Sequence, residues 1–275
     1  MDNLEKNVVN DFGEEWKTYN QSEIKKKELV QIYKNYFDIF PLHKISKNSE
    51  GFDMGCGSGR WAQFIAPKVK ILNCIDPSYE AIQVAKKNLA KFQNCEFQNC
   101  GVINNSLKEN SQDFGYSLGV LHHIPNTNKG LEACVKKLKR DAPFLLYLYY
   151  RFDNKPLWFK LIWKVSNIFR KLISKLPFKI KLYTTKLIAI LIYFPLARIS
   201  YLLEKIGIDV QNIPISSYRH TSLYTMKTDA LDRFGTKLEH RFTKNEIIIM
   251  MKQSGLKNIK FSENSPFWVA TGLKK

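Results

Sequence analysis

The sequence predicts an α/β fold: a parallel sheet wound on both faces by helices, interrupted by a long helical insertion and closed by a late hairpin. Three observations predict it. Between about residues 50 and 150, short apolar runs alternate with helical stretches, the pattern of a parallel sheet covered on both sides. A glycine-rich turn separates the first apolar run from the first of these helices. The alternation stops after Tyr150 and resumes only at Thr243.

Residues 1–45 read as a polar N-terminal helical lid. Phe12, Trp16 and Tyr19, then Ile32, Tyr33, Tyr36, Phe37 and Phe40, recur mostly at helical spacing, so most share one face up to Pro41. Residues 46–150 form the core. The run 51–54 leads into the glycine turn, 61–66 begins a helix, and 69–75 is a strand ending at Asp76-Pro77-Ser78. Next, 79–92 reads as a helix, 95–102 and 114–121 as strands, 128–138 as a helix and 144–150 as a very apolar strand. Residues 151–242 form the basic helical insertion. Within 243–275, Thr243-Lys244-Asn245-Glu246 is a capping box, whose hydroxyl and carboxylate satisfy the first amides of a helix that stops at Gly255. The runs 256–263 and 267–273 then read as a hairpin around Asn264-Ser265-Pro266.

A chain of 275 residues with 44% apolar content can bury a large core, so disorder is excluded. Its 43 Lys and Arg against 25 Asp and Glu leave +18, which favours an anionic partner or surface. Because 35 of the 43 are Lys, a bias toward solubility explains the excess equally well. The five cysteines, Cys56, Cys74, Cys95, Cys100 and Cys134, contain no C-x-x-C, so neither a disulfide framework nor a metal site is expected. A reduced cytoplasmic compartment fits them best. The polar start, residues 1–6, lacks a secretion signal. The apolar run 187–197 falls short of the ~20 residues of a bilayer span, so no transmembrane helix is expected.

The most informative segment is Asp53-Met54-Gly55-Cys56-Gly57-Ser58-Gly59, between a strand and a helix. Glycines at Gly55, Gly57 and Gly59 let the backbone turn sharply and approach a ligand. Seventeen residues beyond Gly59, Asp76 ends the next strand, where a carboxylate can accept both hydroxyls of a ribose. Together these describe an adenosine pocket. A dinucleotide fingerprint, G-x-G-x-x-G, fits poorly because the third glycine comes one residue early and Arg60 takes its slot. Asp53 would also repel a pyrophosphate and attract an ammonium or sulfonium.

With Ile75-Asp76-Pro77-Ser78 and Ser117-Leu118-Gly119-Val120-Leu121-His122-His123-Ile124-Pro125, this segment resembles the class I S-adenosylmethionine-dependent methyltransferases. The resemblance covers about 50–150 and 243–275. The segment from Phe12 to Tyr19 resembles the leading part of bacterial members that methylate small, lipid or glycan acceptors; otherwise it is an ordinary helix docked on the sheet. The resemblance implies a Rossmann-like, doubly wound sheet of seven strands, the last antiparallel, with the insertion after the fifth. It implies S-adenosyl-L-methionine as cofactor, with Gly55, Gly57 and Gly59 forming the turn along the methionine and Asp76 and Pro77 at the ribose. Leu118, Gly119 and His122 would face the reactive end, Val102 the adenine, and Trp16 and Tyr19 would fold over the cofactor. Two departures stand out. No acid follows the third strand near Gly101-Val102-Ile103, which leaves adenine to backbone amides and apolar packing, and Asp141-Ala142-Pro143 replaces a usual Pro-Gly-Gly.

Between Arg151 and Lys205, twelve Lys and Arg accompany only Asp153 and Glu204, a local +10. They interleave with Trp158, Leu161, Trp163, Phe169 and Leu172 at helical spacings, so 155–205 reads as a basic amphipathic surface for an anionic membrane. A helical cap that packs its apolar face on the sheet is the alternative. Nucleic acid is disfavoured, because Lys dominates and no RNA or DNA module accompanies the charge. Downstream, 217–221 and 229–235 either line an acceptor pocket or, through Asp229, Asp232 and Arg233, pin the cap by ion pairs. Methyl transfer is an in-line displacement that depends chiefly on positioning. A hydroxyl acceptor also needs a base, for which His122 and His123 are the first candidates and Tyr218 and His220 the second. The expected protein is a cytoplasmic methyltransferase, peripheral on the inner face of the membrane, with a small, lipid-like or lipid-linked glycan acceptor. A nucleic-acid methyltransferase and a non-catalytic membrane-docking protein on the same fold are the alternatives.

Overall fold

The computed structural model describes residues 3–275; Met1 and Asp2, the first residues read for a secretion signal, lie outside it. In chain order the elements are α1 (Lys6–Thr18), α2 (Lys26–Phe37), β1 (Glu50–Met54), α3 (Ala62–Ile65), β2 (Ile71–Asp76), α4 (Tyr79–Asn88), β3 (Cys95–Asn99) and β4 (Phe114–Leu118). They continue as α5 (Thr127–Lys137), β5 (Pro143–Tyr147), α6 (Leu157–Ile173), α7 (Phe178–Ile188), α8 (Phe194–Lys205), α9 (Leu223–Gly235), α10 (Lys244–Gln253), β6 (Leu256–Phe261) and β7 (Val269–Lys274). Contacts divide the chain into two units: 3–21, 31–151 and 238–275 in the first, 22–30 and 152–237 in the second.

The first unit holds a seven-stranded sheet of order β3-β2-β1-β4-β5-β7-β6. Strands β1 to β5 run parallel, β7 lies antiparallel beside β5, and β6 antiparallel beside β7. This is the Rossmann-like sheet expected from the sequence. Alternate side chains fill opposite faces. Phe52, Met54, Leu131, Leu146 and Met251 pack on one, and Phe37, Trp61, Leu72, Phe114 and Tyr116 on the other. Because the strand order reverses between β1 and β4, a crevice opens at their carboxyl ends, where open α/β sheets bind ligands.

Local chemistry sets the element ends. Ser78 and Asn126 cap α4 and α5 with side-chain oxygens, and both halves of the Thr243/Glu246 capping box are formed. Strand β5 stops at Tyr147, short of the expected 150. That residue pairs with Leu118 and Val269, the terminal residues of its two neighbours, so no ladder remains beyond it.

Two expected boundaries shift. Residues 22–30 group with the insertion, because the Glu28 carboxylate accepts hydrogen bonds from the Ser222 amide (2.8 Å) and the Thr225 hydroxyl (2.7 Å). Residues 238–242 group with the core, where the His240 amide donates to the His122 carbonyl at 2.9 Å. Neither partnership leaves a local sequence signal.

The second unit is helical, built around α9. Met226, Ala230 and Phe234 of that helix pack with Ile173, Ala189, Tyr193 and Ala197. A π-helical turn (Ala189–Tyr193) joins α7 and α8 into one 28-residue helix, Phe178–Lys205, long and apolar enough to cross a membrane by length and composition. The charges bounding the eleven-residue apolar run do not stop the helix, and Pro195 lies inside it, directly after the π-helical turn.

Candidate active site

The glycine loop is tied to the sheet by its own backbone. The amides of Gly55 and Cys56 both donate to the Ile75 carbonyl, at 2.7 and 3.0 Å. Gly55 has φ +81°, and a Cβ there would stand 2.3 Å from the Val120 side chain. Gly57 has φ +51°, and its Cβ would meet the Trp16 indole at 2.9 Å. Both positions therefore require glycine, for conformation and for close approach.

Asp76 completes the loop from the end of β2. One carboxylate oxygen accepts the Gly57 amide and the other the Ser78 amide, each at 2.9 Å. Burial pushes the carboxyl up to about 6, against the pull of those two hydrogen bonds. Each oxygen has a further lone pair, so the group can still accept from a ligand hydroxyl.

These residues border an open cleft. Gly55, Gly57, Asp76 and Pro77 form one wall, and Leu118, Gly119, His123 and Ile124 another. A third wall is apolar: Leu4, Val8, Phe12 and Trp16, one residue every four along α1 and its lead-in. The spacing of that stripe is present in the sequence, where only its aromatic members, Phe12 and Trp16, draw attention. Val120 and Ile124 also join the lining, beside the β4 residues expected from the sequence.

The structure brings Trp16, Gly55, Gly57, Asp76, Pro77, Leu118, Gly119 and His123 together, and sets other candidates apart from the cleft lining. Asp53 is fully buried in β1. Burial first, and then the neighbouring Asp76, hold its carboxyl well above the usual range, with the Tyr116 hydroxyl pulling the other way. Its burial in β1 and its absence from the cleft lining set Asp53 apart from the contact expected with an ammonium or sulfonium. Gly59 faces Leu89, its Cβ position 2.8 Å from that side chain, and so serves helix packing. Tyr19 and Val102 are core residues. Leu4 instead packs against Gly101, next to Val102.

The two histidines separate clearly. His122 is fully buried and stacked on Tyr149, ring centroids 3.9 Å apart. Burial, reinforced by His123, Arg241 and His240, drives its pKa well below the ordinary histidine value, so the ring is neutral. It lies outside the lining, which corrects its candidacy as a base. His123 lines the cleft, its ring centroid 5.0 Å from that of Phe12. Its Nδ1 lies 2.8 Å from the Leu238 carbonyl. A carbonyl only accepts, so Nδ1 carries the proton and Nε2 the lone pair a base needs.

Tyr218 and His220 are absent from the lining, whose residues all come from the first unit. In the second unit His220 meets Glu204 at 2.9 Å and Tyr218 packs on Tyr193. Among the described residues, no group of three His, Cys, Asp or Glu is placed to hold a metal.

Fold and cleft together define the class: a class I S-adenosylmethionine-dependent methyltransferase domain. Residues 52–146 match the family described as "Methyltransferase domain". A 75-residue stretch is 37% identical to a probable cobalt-precorrin-6B C(15)-methyltransferase (decarboxylating) of Methanocaldococcus jannaschii. The match covers 26% of this chain and 41% of that protein, so the chain spans less than half the length of this curated relative. Among solved structures, the complex of the Haloferax volcanii Trm112 methyltransferase activator with a candidate methyltransferase is similar over 95% of this chain and 96% of that one, at 12% identity and TM-score 0.53. The N-methyltransferase NodS of Bradyrhizobium japonicum, solved with S-adenosylhomocysteine, is similar over 51% of this chain and 72% of its own, at 17% identity and TM-score 0.42.

The cleft fits this cofactor on its own geometry. Asp76, on the cleft wall beside Gly57, keeps a further lone pair on each carboxylate oxygen, an acceptor pair suited to a ribose diol.

Proposed function

We propose that the chain methylates a small acceptor with a lipid-like or lipid-linked body, met at a membrane surface. The observation that carries this reading is the character of the cleft. Beyond the glycine loop and Asp76, its lining is dominated by Leu4, Val8, Val9, Phe12, Val120 and Ile124, and His123 is its imidazole. An apolar body with one nucleophilic atom matches such walls. A polyanion matches them poorly, because the cationic side chain in the lining is Arg60, which lies over Trp61 at 4.3 Å.

S-adenosyl-L-methionine, when bound, supplies a methyl group on positively charged sulfur. The chain's residues then do the positioning. Asp76 accepts the ribose hydroxyls, Gly55 and Gly57 let the backbone come close, and the α1 stripe keeps water from the cleft. His123 Nε2 takes the proton of a hydroxyl acceptor, and its Nδ1 contact with Leu238 fixes the ring for that transfer.

The test incubates the chain with methyl-labelled cofactor and three acceptor pools, namely a membrane-lipid extract, polar metabolites and RNA. Label that partitions into organic solvent supports the reading. Label confined to RNA, or to the polar pool, rejects it.

A further inference from the structure

The second unit buries two cations beside its apolar core. Arg170 and Lys181 are 6% and 2% exposed, whereas the aliphatic residues of the same helices face outward. The two buried cations serve a neighbouring helix end. Arg170 donates to the Thr236 carbonyl (2.8 Å) and Lys181 to the Gly235 carbonyl (3.2 Å). These carbonyls lie at the carboxyl end of α9, where a helix leaves acceptors unsatisfied and favours positive charge. Thr185 and Ser200 are likewise turned inward.

The outward faces are correspondingly apolar. On α6, Leu161, Val165, Ile168 and Leu172 form one exposed row and Trp158, Ile162 and Phe169 a second. At ~100° per residue the two rows fill a sector of roughly 120°, and Lys160, Lys164 and Lys171 form a basic border along one side of it. Along the 28-residue helix, Ile180, Tyr183, Leu187, Leu191, Phe194 and Leu202 are exposed in the same way, opposite the spine that packs on α9.

We propose that α6 and the helix from α7 through α8 lie in the plane of an anionic bilayer, with their aliphatic faces immersed in one leaflet. Apolar faces turned outward and polar groups turned inward are the arrangement a hydrocarbon surrounding selects. Charge selects the occupant. The local +10 between Arg151 and Lys205 would set two basic borders against each other in a second copy of this chain, while an anionic headgroup layer complements them. The aliphatic rows offer depth without directional donors, as a bilayer requires and a polar-rimmed protein interface does not. The proposal rests on the proposed function only in placing the acceptor in the same membrane.

Flotation of the full chain with phosphatidylcholine vesicles, with and without phosphatidylglycerol, tests it. The chain floats with the anionic vesicles. Leu161→Glu/Ile168→Glu abolishes flotation, and Lys164→Glu/Lys171→Glu weakens it at least about tenfold. Both variants keep wild-type affinity for S-adenosylhomocysteine, which shows that they fold. A wild-type chain that stays with the soluble fraction, or a Leu161→Glu/Ile168→Glu chain that floats like the wild type, overturns the proposal. A chain that floats but binds no S-adenosylhomocysteine refutes the proposed activity and leaves the membrane surface standing.

Discussion

The carboxylate of Asp76 accepts the backbone amide of Gly57 at 2.9 Å, so the end of β2 holds the glycine loop that leaves β1. The shape of the loop therefore depends on one side chain, whose carboxyl burial raises to about 6.

Binding of S-adenosylhomocysteine should weaken as pH falls through about 6, because burial raises Asp76 to that value and the ribose requires the carboxylate. With one protonation involved, affinity drops about tenfold per pH unit below that point. The stability contribution has the opposite sign. A raised carboxyl is protonated in the folded chain where the unfolded chain, at about 4, has already released its proton. This group's contribution to stability therefore decreases from about pH 4 to about pH 6 and is flat above. Calorimetric titrations across pH 5 to 8 check the first statement. Asp76→Asn should remove the pH dependence and weaken binding roughly 10- to 100-fold.

Gly57→Ala should weaken cofactor binding about tenfold, since a positive φ costs about 1–2 kcal/mol and the new methyl meets Trp16. Trp16→Ala should itself weaken binding by opening the α1 wall. In the double variant the steric part of the Gly57 effect disappears, so the combined loss is smaller than the sum of the two. Binding titrations on the four proteins read this coupling directly.

His123→Gln should lower turnover with a hydroxyl acceptor roughly 10²- to 10⁴-fold while leaving cofactor affinity near wild type. His122→Phe should preserve the stack on Tyr149 and change turnover little. A proton-detected titration should find the His122 ring neutral where ordinary histidines titrate, near about 6.5. Steady-state kinetics of the two variants separates the roles.

Thr243→Ala should destabilise the first unit by about 1 kcal/mol, because it removes the oxygen that caps the Glu246 amide. Denaturant unfolding with the sheet as reporter measures it.

Much of the core is legible in the sequence because its signals are local. Strand periodicity, the glycine turn and Asp76 lie within 27 residues, and the Thr243 capping box within four. Asp53 misleads because sequence shows a charge and cannot show that β1 buries it beside Tyr116. His122 and His123 are indistinguishable as neighbours in the chain; only the β4 end turns one ring onto Tyr149 and the other into the cleft. Glu28 reaches Ser222 across 194 residues, a pairing with no local trace. In the insertion the sequence shows basic and apolar residues interleaved, but not that Arg170 and Lys181 turn inward.

Calorimetric titration of the wild-type chain with S-adenosylhomocysteine at pH 7.5 is the most direct measurement of the central claim. The cleft predicts saturable binding at one site per chain, lost together with the Asp76 carboxylate. An absence of binding heat at millimolar ligand, or equal binding by the wild type and Asp76→Asn, would contradict it.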